Sequence, residues 1–374
     1  MNTLRARRLV GLALLAYLPA LLSAPGRVPG DTKLSLYLDP LRLVTDSIWT
    51  WDSRQFSGWV PHQNVGYLWP TGPFYAVFDA LSIPDWFAHR LWIGTLLFLA
   101  GAGVVRLGRV LGLGTTTVTV AAVVYQLSPY VLPYVSRTSA LLLPWSLLGW
   151  IIATAILVAR HRRWRDVAIW TLLIASTGGL NATALIMIAP GPFVFVMSEG
   201  RWRSWRRSLT TLVILGSSAV AASAWWIAGL VTQGRFGAAV LSYSEALPST
   251  AATSTSLEVL RGLGYWLFYD RNVAIELTSA ATPYMSNWAV LVAGLGLTIL
   301  GLVGIRSLPS AVSRTSGALL VIGVVLAVGA HPFSDPSPLW RLAVDNPTSA
   351  LSLALRSSSR AAPFVVLVVA LGAG

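Results

Sequence analysis

Two carboxylates and a pair of arginines give this sequence its clearest chemical potential. Asp31 lies in Pro29-Gly30-Asp31-Thr32-Lys33, just beyond the first apolar segment, and Glu245 closes the run Ser242-Tyr243-Ser244-Glu245. A carboxylate could take the proton of an attacking hydroxyl. Arg356 and Arg360 stand four apart with Ser357, Ser358 and Ser359 between them, on one face if the segment is helical. Guanidinium and hydroxyl donors of this kind suit a phosphate, whose growing charge they would hold as it leaves. Lys33 and Arg137 are further candidates for the same anion. His62 and Trp69 belong to an aromatic, Pro/Gly-rich stretch from Trp59 to Tyr75, a surface that suits sugar hydroxyls or, equally, a lipid-facing lip.

Each of these residues also has a structural reading. Gly30-Asp31 could form a turn, with Asp31 capping the next segment. Ser242-x-x-Glu245 fits a capping box, as does Thr255-x-x-Glu258, which leads into an apolar run and marks Glu258 as structural. Two arginines beside an apolar span can snorkel to ordinary headgroups. His62 in an exposed loop can simply be solvated, and His89 and His331 are too far apart in sequence to suggest a metal site.

The elements that must position these side chains are membrane helices. Hydrophobic residues make up 55% of the 374 and charged residues only 11%, against roughly 25% in soluble domains. Apolar passes are expected at about 9–22, 91–105, 113–127, 140–159, 167–180, 182–197, 208–230, 287–305, 316–330 and from 361 onward, about ten in all. The stretches 91–105 and 113–127 are short for a bilayer core of about 30 Å and should extend into their flanks. The first pass follows Arg5, Arg7 and Arg8 like a signal peptide, and is read as a retained signal-anchor. Alternate loops then separate the charge. One set holds 15 Arg with only Asp166 and Glu199, so it carries the whole net charge of +13, while the other holds 12 basic and 12 acidic residues. The positive-inside bias therefore predicts a cytoplasmic N-terminus, with Asp31 and Glu245 on the external face of the plasma membrane.

Three external segments are long, about 24–89, 231–286 and 331–360. In the first, Asp39-Pro40 reads as a cap and first helical residue, and Leu41, Val44, Ile48 and Trp51 predict a helix lying in the interface. Asp46 and Asp52 should face water beside it. The basic clusters are short loops between apolar spans, so they meet anionic lipid headgroups rather than nucleic acid. No cysteine is present, which excludes disulfide and thiolate chemistry. The chain stops inside an apolar run, so residues 1–374 are expected to be the N-terminal part of a longer protein.

The long first external loop with its Asp, succeeded by many helices and aromatic external loops, resembles the C-type membrane glycosyltransferases. The Gly30-Asp31-Thr32-Lys33 segment, Trp69-Pro70-Thr71-Gly72-Pro73-Phe74 and Leu355-Arg356-Ser357-Ser358-Ser359-Arg360 are similar to the N-terminal membrane region of the large α-(1→3)-arabinofuranosyltransferases (the arabinofuranosyltransferase D family) of actinobacterial cell-wall arabinan synthesis. The resemblance runs along essentially the whole chain. It implies an all-α polytopic bundle with interfacial helices in the first external loop, and decaprenylphosphoryl arabinose as donor. It further implies an arabinan acceptor, inversion at the anomeric carbon, and a missing C-terminal region with carbohydrate-binding modules.

On that resemblance Asp31 is the first choice for the general base and Glu245 the second. Lys33, Arg356, Arg360 and Arg137 would bind the donor phosphate, and His62 and Trp69 the acceptor. A monophosphate donor lessens the need for a metal, so no cofactor is expected. A polyprenyl-linked glycan flippase and a non-catalytic membrane scaffold are the alternatives. The assigned spans contain no Asp, Glu, Lys or Arg, which weakens a coupled transporter.

Overall fold

The computed structural model describes residues 2–31, 34–54, 57–61, 64–135, 137–200, 204–239, 245–269, 271–272, 275–276, 278–347 and 349–374. Helices stand at each predicted pass: Asn2–Leu22, Asp85–Val110, Thr115–Gln126, Leu143–His161, Trp164–Ala175, Ala182–Ile188 continuing into Pro190–Gly200, Trp205–Phe236, Trp288–Gly304, Ser310–Val328 and Ala362–Ala373. Among the described residues, six helical stretches are long and apolar enough to cross a bilayer. The protein is an all-α membrane protein. Its strands, among the described residues, amount to an antiparallel pair, Arg271–Asn272 with Ile275–Glu276.

Helix lengths depart from the bilayer requirement in both directions. The 85–110 helix overruns its apolar centre, taking in His89 and Arg90 at one end and Arg106 and Arg109 at the other. The 115–126 and 164–175 helices have 12 residues each, about 18 Å against a core of about 30 Å. One face of the 115–126 helix is buried, through Val118, Ala121, Ala122 and Tyr125. Its Gln126 is fully buried and donates through Nε2 to the Leu12 carbonyl at 3.0 Å. The 85–110 and 143–161 helices cross at Gly103 and Gly149, where a Cβ on Gly149 would lie 2.5 Å from the Gly103 carbonyl carbon. Small residues at such crossings let membrane helices approach closely enough for dispersion to hold them.

The two ends of the bundle differ in chemistry. At one, Arg160 joins the ends of four helices. It donates to both Glu199 oxygens at 2.9 and 2.6 Å and to the Val110 carbonyl at 2.6 Å, while its own carbonyl accepts from Arg207. At the other end lie the long loops. There Asp39 caps the helix Pro40–Ser47, accepting from the Arg42 amide at 3.0 Å. This helix buries Leu43 and leaves Leu41 and Ile48 exposed, beside exposed Trp49 and Trp51. Arg54 bridges Asp46 at 2.7 Å and Asp52 at 3.0 Å, next to a β-bridge between Asp52 and Trp59.

Candidate active site

Asp31 lies in the extended stretch beyond the 2–22 helix, its amide donating to the Pro29 carbonyl at 2.8 Å. Its side chain reaches residues distant in sequence. The Ser139 amide donates to Oδ1 at 2.9 Å, the Ser139 hydroxyl donates to Oδ2, and His89 Nε2 lies 3.2 Å from Oδ2. The carboxylate is 2% exposed.

His89 stands in the second turn of the 85–110 helix, and its Nδ1 is 2.7 Å from an Arg90 guanidinium nitrogen. Arginine can only donate, so Nδ1 accepts and the imidazole proton sits on Nε2, where it is donated to Asp31. Arg90 is fixed in turn by the Ser23 and Arg27 carbonyls. Trp92 Nε1 donates to the Ser139 hydroxyl at 3.0 Å, which aims that hydroxyl's own proton at Asp31.

Tyr37, Tyr67 and Tyr75, all buried, surround this group from the first loop. Burial raises all three phenols above their usual range. The Asp31 charge is the next cause for Tyr37 and Tyr67, and comes after Tyr37 for Tyr75. They therefore stay protonated, and can offer donors to a charged or hydroxyl-rich partner.

A second cluster forms at the same end of the bundle. The Ser357 hydroxyl donates to Glu245 Oε1 at 3.0 Å, and Arg356 Nε lies 4.0 Å from the same oxygen. Arg360 Nη1 donates at 3.0 Å to Asn181 Oδ1, the oxygen that also caps the 182–188 helix through the Ala184 amide. The guanidinium lies against the Tyr265 hydroxyl, whose pKa burial raises more than Arg360 lowers it. Arg360 Nε is buried and makes no hydrogen bond among the described residues, so the group retains a charged donor for an anion.

One close contact joins the first loop to the second cluster. A Cβ on Gly66, next to Tyr67, would collide with the Gly179 carbonyl, two residues from Asn181. The first loop is thereby seated on the turn that anchors Arg360.

Residues 15–374 match the sequence model of the family described as alpha-(1->3)-arabinofuranosyltransferase, N-terminal GT-C domain. The chain belongs to this family. It is 31% identical over 353 residues to the alpha-(1->3)-arabinofuranosyltransferase of Mycolicibacterium smegmatis, covering 89% of this chain and 24% of that protein. It is 29% identical over 358 residues to the Mycobacterium tuberculosis protein of the same name, covering 93% and 25%. A cryo-EM structure of the arabinofuranosyltransferase AftD from mycobacteria superposes with a TM-score of 0.70 at 25% identity, over 98% of this chain and 24% of the other. The chain thus spans about a quarter of the length of the relatives it matches.

Within this GT-C domain, the residues singled out in the sequence do not all come together. Asp31 has its own cluster, and Glu245, Arg356 and Arg360 share the second. Trp69 stands apart, 44% exposed, its Nε1 donating to the Ser176 hydroxyl at 2.7 Å, one residue before Thr177 and the Gly178-Gly179 turn. Arg137 is half-buried two residues before Ser139, its amide bonded to the Tyr134 carbonyl. Lys33 and His62 lie outside the described residues, as do Ser242 to Ser244 of the expected capping box. Glu258 is structural, paired with Arg261 at 2.5 Å and accepting from the Tyr269 hydroxyl. Sequence reasoning missed Ser139, His89, Asn181 and Tyr265.

Proposed function

We propose that this domain transfers an arabinofuranosyl unit from decaprenylphosphoryl arabinose to a hydroxyl of a cell-wall arabinan acceptor, with inversion, on the external face of the plasma membrane. The observation that carries the reading is Asp31, a buried first-loop carboxylate oriented by Ser139 and His89, in a chain of the arabinofuranosyltransferase family. Asp31 takes the acceptor hydroxyl proton as that oxygen bonds to the anomeric carbon. The bond from that carbon to the phosphate oxygen breaks, and the lipid phosphate leaves with the electron pair. A single displacement inverts the centre and needs one base, unlike the two-carboxylate route of retaining enzymes.

Arg360 and Arg356 meet the phosphate charge as it grows, a contribution that preorganised donors make without reorganisation at the moment of reaction. Two guanidinium groups can neutralise a leaving monophosphate, so the reaction is assigned no metal. Lys33 and Arg137 assist at the phosphate, while Trp69 and His62 contact the acceptor. Glu245 positions Arg356. The partners are the lipid donor, the arabinan, membrane lipids and a further C-terminal region of this protein that carries carbohydrate-binding modules. Nucleic acid is not among them.

Purified protein supplied with synthetic decaprenylphosphoryl arabinofuranose and an arabinofuranoside acceptor should form product of inverted configuration by NMR, with rates unchanged by EDTA. Product of retained configuration, or loss of activity with EDTA restored by a divalent cation, would overturn the mechanism. Orientation has a separate check. A cysteine at Arg162 should react with impermeant thiol reagent only from the cytoplasm and one at Asn64 only from outside; labelling of both from one side removes the external site.

A further inference from the structure

The 205–236 helix has 32 residues, while its neighbour 164–175 has 12 and the adjoining 182–200 segment breaks at Ala189-Pro190. Because the partners are shorter than the helix they flank, they leave a groove of about 660 Å³ beside it. On the long helix, Leu209, Val213, Gly216, Val220, Ser223 and Trp226 face the groove in a single stripe at helical spacing. From Leu209 to Ile227 the stripe rises about 27 Å, close to the full hydrocarbon thickness of about 30 Å. A glycerolipid acyl chain occupies one leaflet, about half that depth. The groove is therefore matched to an apolar chain longer than one leaflet.

Two features at one end of the groove suit a polar head on that chain. Trp226, buried against the Gly178 turn, has an indole N–H with no hydrogen-bond partner among the described residues. Leu185, which lines the groove, is four residues or about 6 Å along the helix from Asn181, the residue that holds Arg360. An apolar channel thus runs to the helix whose N-terminal cap, Asn181, holds the Arg360 guanidinium.

We propose that this groove receives the polyprenyl tail of the donor, its phosphate at Arg360 and its distal isoprene units beside Leu209. The assignment rests on the polyprenyl-phosphate reading above and adds to it where the tail runs.

Gly216 supplies the test, because a Cβ there meets nothing within 4 Å. Gly216→Phe projects a ring into the groove from a position where the Cβ itself has open space, and removes a helix-disfavouring residue. Gly296→Phe, also in open space on the 288–304 helix, is the control. The groove assignment predicts that Gly216→Phe raises KM for a decaprenyl-phosphate donor roughly tenfold, since apolar burial is lost. KM for a farnesyl-phosphate donor, too short to reach residue 216, should not change, and Gly296→Phe should alter neither. Decaprenyl phosphate with a distal diazirine should label peptides containing Leu209 or Phe193 in the full protein in nanodiscs. Labelling elsewhere, equal competition by a diacyl phosphatidylglycerol, or equal effects of Gly216→Phe on both donors would overturn the groove assignment. If wild-type protein accepts no polyprenyl-phosphate donor at all, the donor reading itself falls.

Discussion

Asp31 and Glu245 are carboxylates at the same end of one helical bundle, and they are held in unlike ways. The partners described for Asp31 are a backbone amide, a hydroxyl and an imidazole, drawn from two elements far away in sequence. Glu245 faces Arg356 and Ser357, neighbours in a single segment. Donors locked by their own second partners, as His89 is by Arg90 and Ser139 by Trp92, fix the direction of a carboxylate without cancelling its charge. An arginine opposite a carboxylate compensates it. On the proposed mechanism, this difference is the reason for giving proton transfer to Asp31 and the placing of a cation to Glu245.

The largest expected effect separates these roles. Asp31→Asn keeps the side-chain shape and should lower kcat by about 10²–10⁴, the usual contribution of a general base, with donor KM little changed. Glu245→Gln retains an acceptor for Ser357 and loses only the charge opposite Arg356, so its effect should fall mainly on donor KM and reach no more than about fivefold. Steady-state kinetics of both variants at matched abundance tests the division. A dead Glu245→Gln beside an active Asp31→Asn would exchange the roles.

The arginines come next. Arg360→Lys keeps the charge and loses the fork that reaches Asn181 while leaving Nε for the phosphate. Hydrogen bonds to charged groups are worth about 1.5–3 kcal/mol, so donor KM should rise roughly tenfold or more while acceptor KM stays constant. Arg356→Lys should show a smaller rise in the same direction, since Glu245 retains a cation to hold. Donor titrations that leave both variants at wild-type KM would return the pair to headgroup contacts.

The smallest effect concerns a carboxylate pair outside the site. Hydrogen bonds from the Arg54 side chain, then from its backbone amide, hold the Asp52 carboxyl below its usual range. A depressed folded-state pKa contributes stability above the unfolded value, and that contribution is lost as pH falls through the folded one. Hydrogen exchange at the bridged amides of Asp52 and Trp59 should therefore accelerate, beyond its intrinsic pH dependence, only below the ordinary carboxylate range near pH 4. Asp52→Asn should remove that acid-dependent step and leave transfer at neutral pH unchanged.

Much of this architecture was legible in the residues. Apolar runs located the helices, and Asp39-Pro40 and Thr255 announced caps that the structure contains, because those signals are local. The extended flanks of 91–105 were also readable, whereas the expected extension of 113–127 is not seen: that helix spans only 115–126. The surroundings of Asp31 were not legible. Ser139 lies 108 residues away and His89 58 away, and no spacing rule links positions brought together only by tertiary packing. The pairing of Arg360 with Asn181 spans 179 residues and is equally silent in sequence. What could be read was that a polar Asn before an apolar run caps a helix; its second bond, to the arginine, depends on the whole bundle.

The 362–373 helix has a consequence for how the molecule is made. Residues 362–372 are all buried, packed against helices 115–126, 288–304 and 310–328. Gly301 and Gly304 lie directly against the Val369 and Gly372 carbonyls. The surrounding helices are synthesised and enter the bilayer before this one exists. Their contacts with the 362–373 segment form only once that segment has arrived. Burial of this segment therefore follows insertion of the three helices it packs against, because it is set by long-range contacts that cannot form earlier.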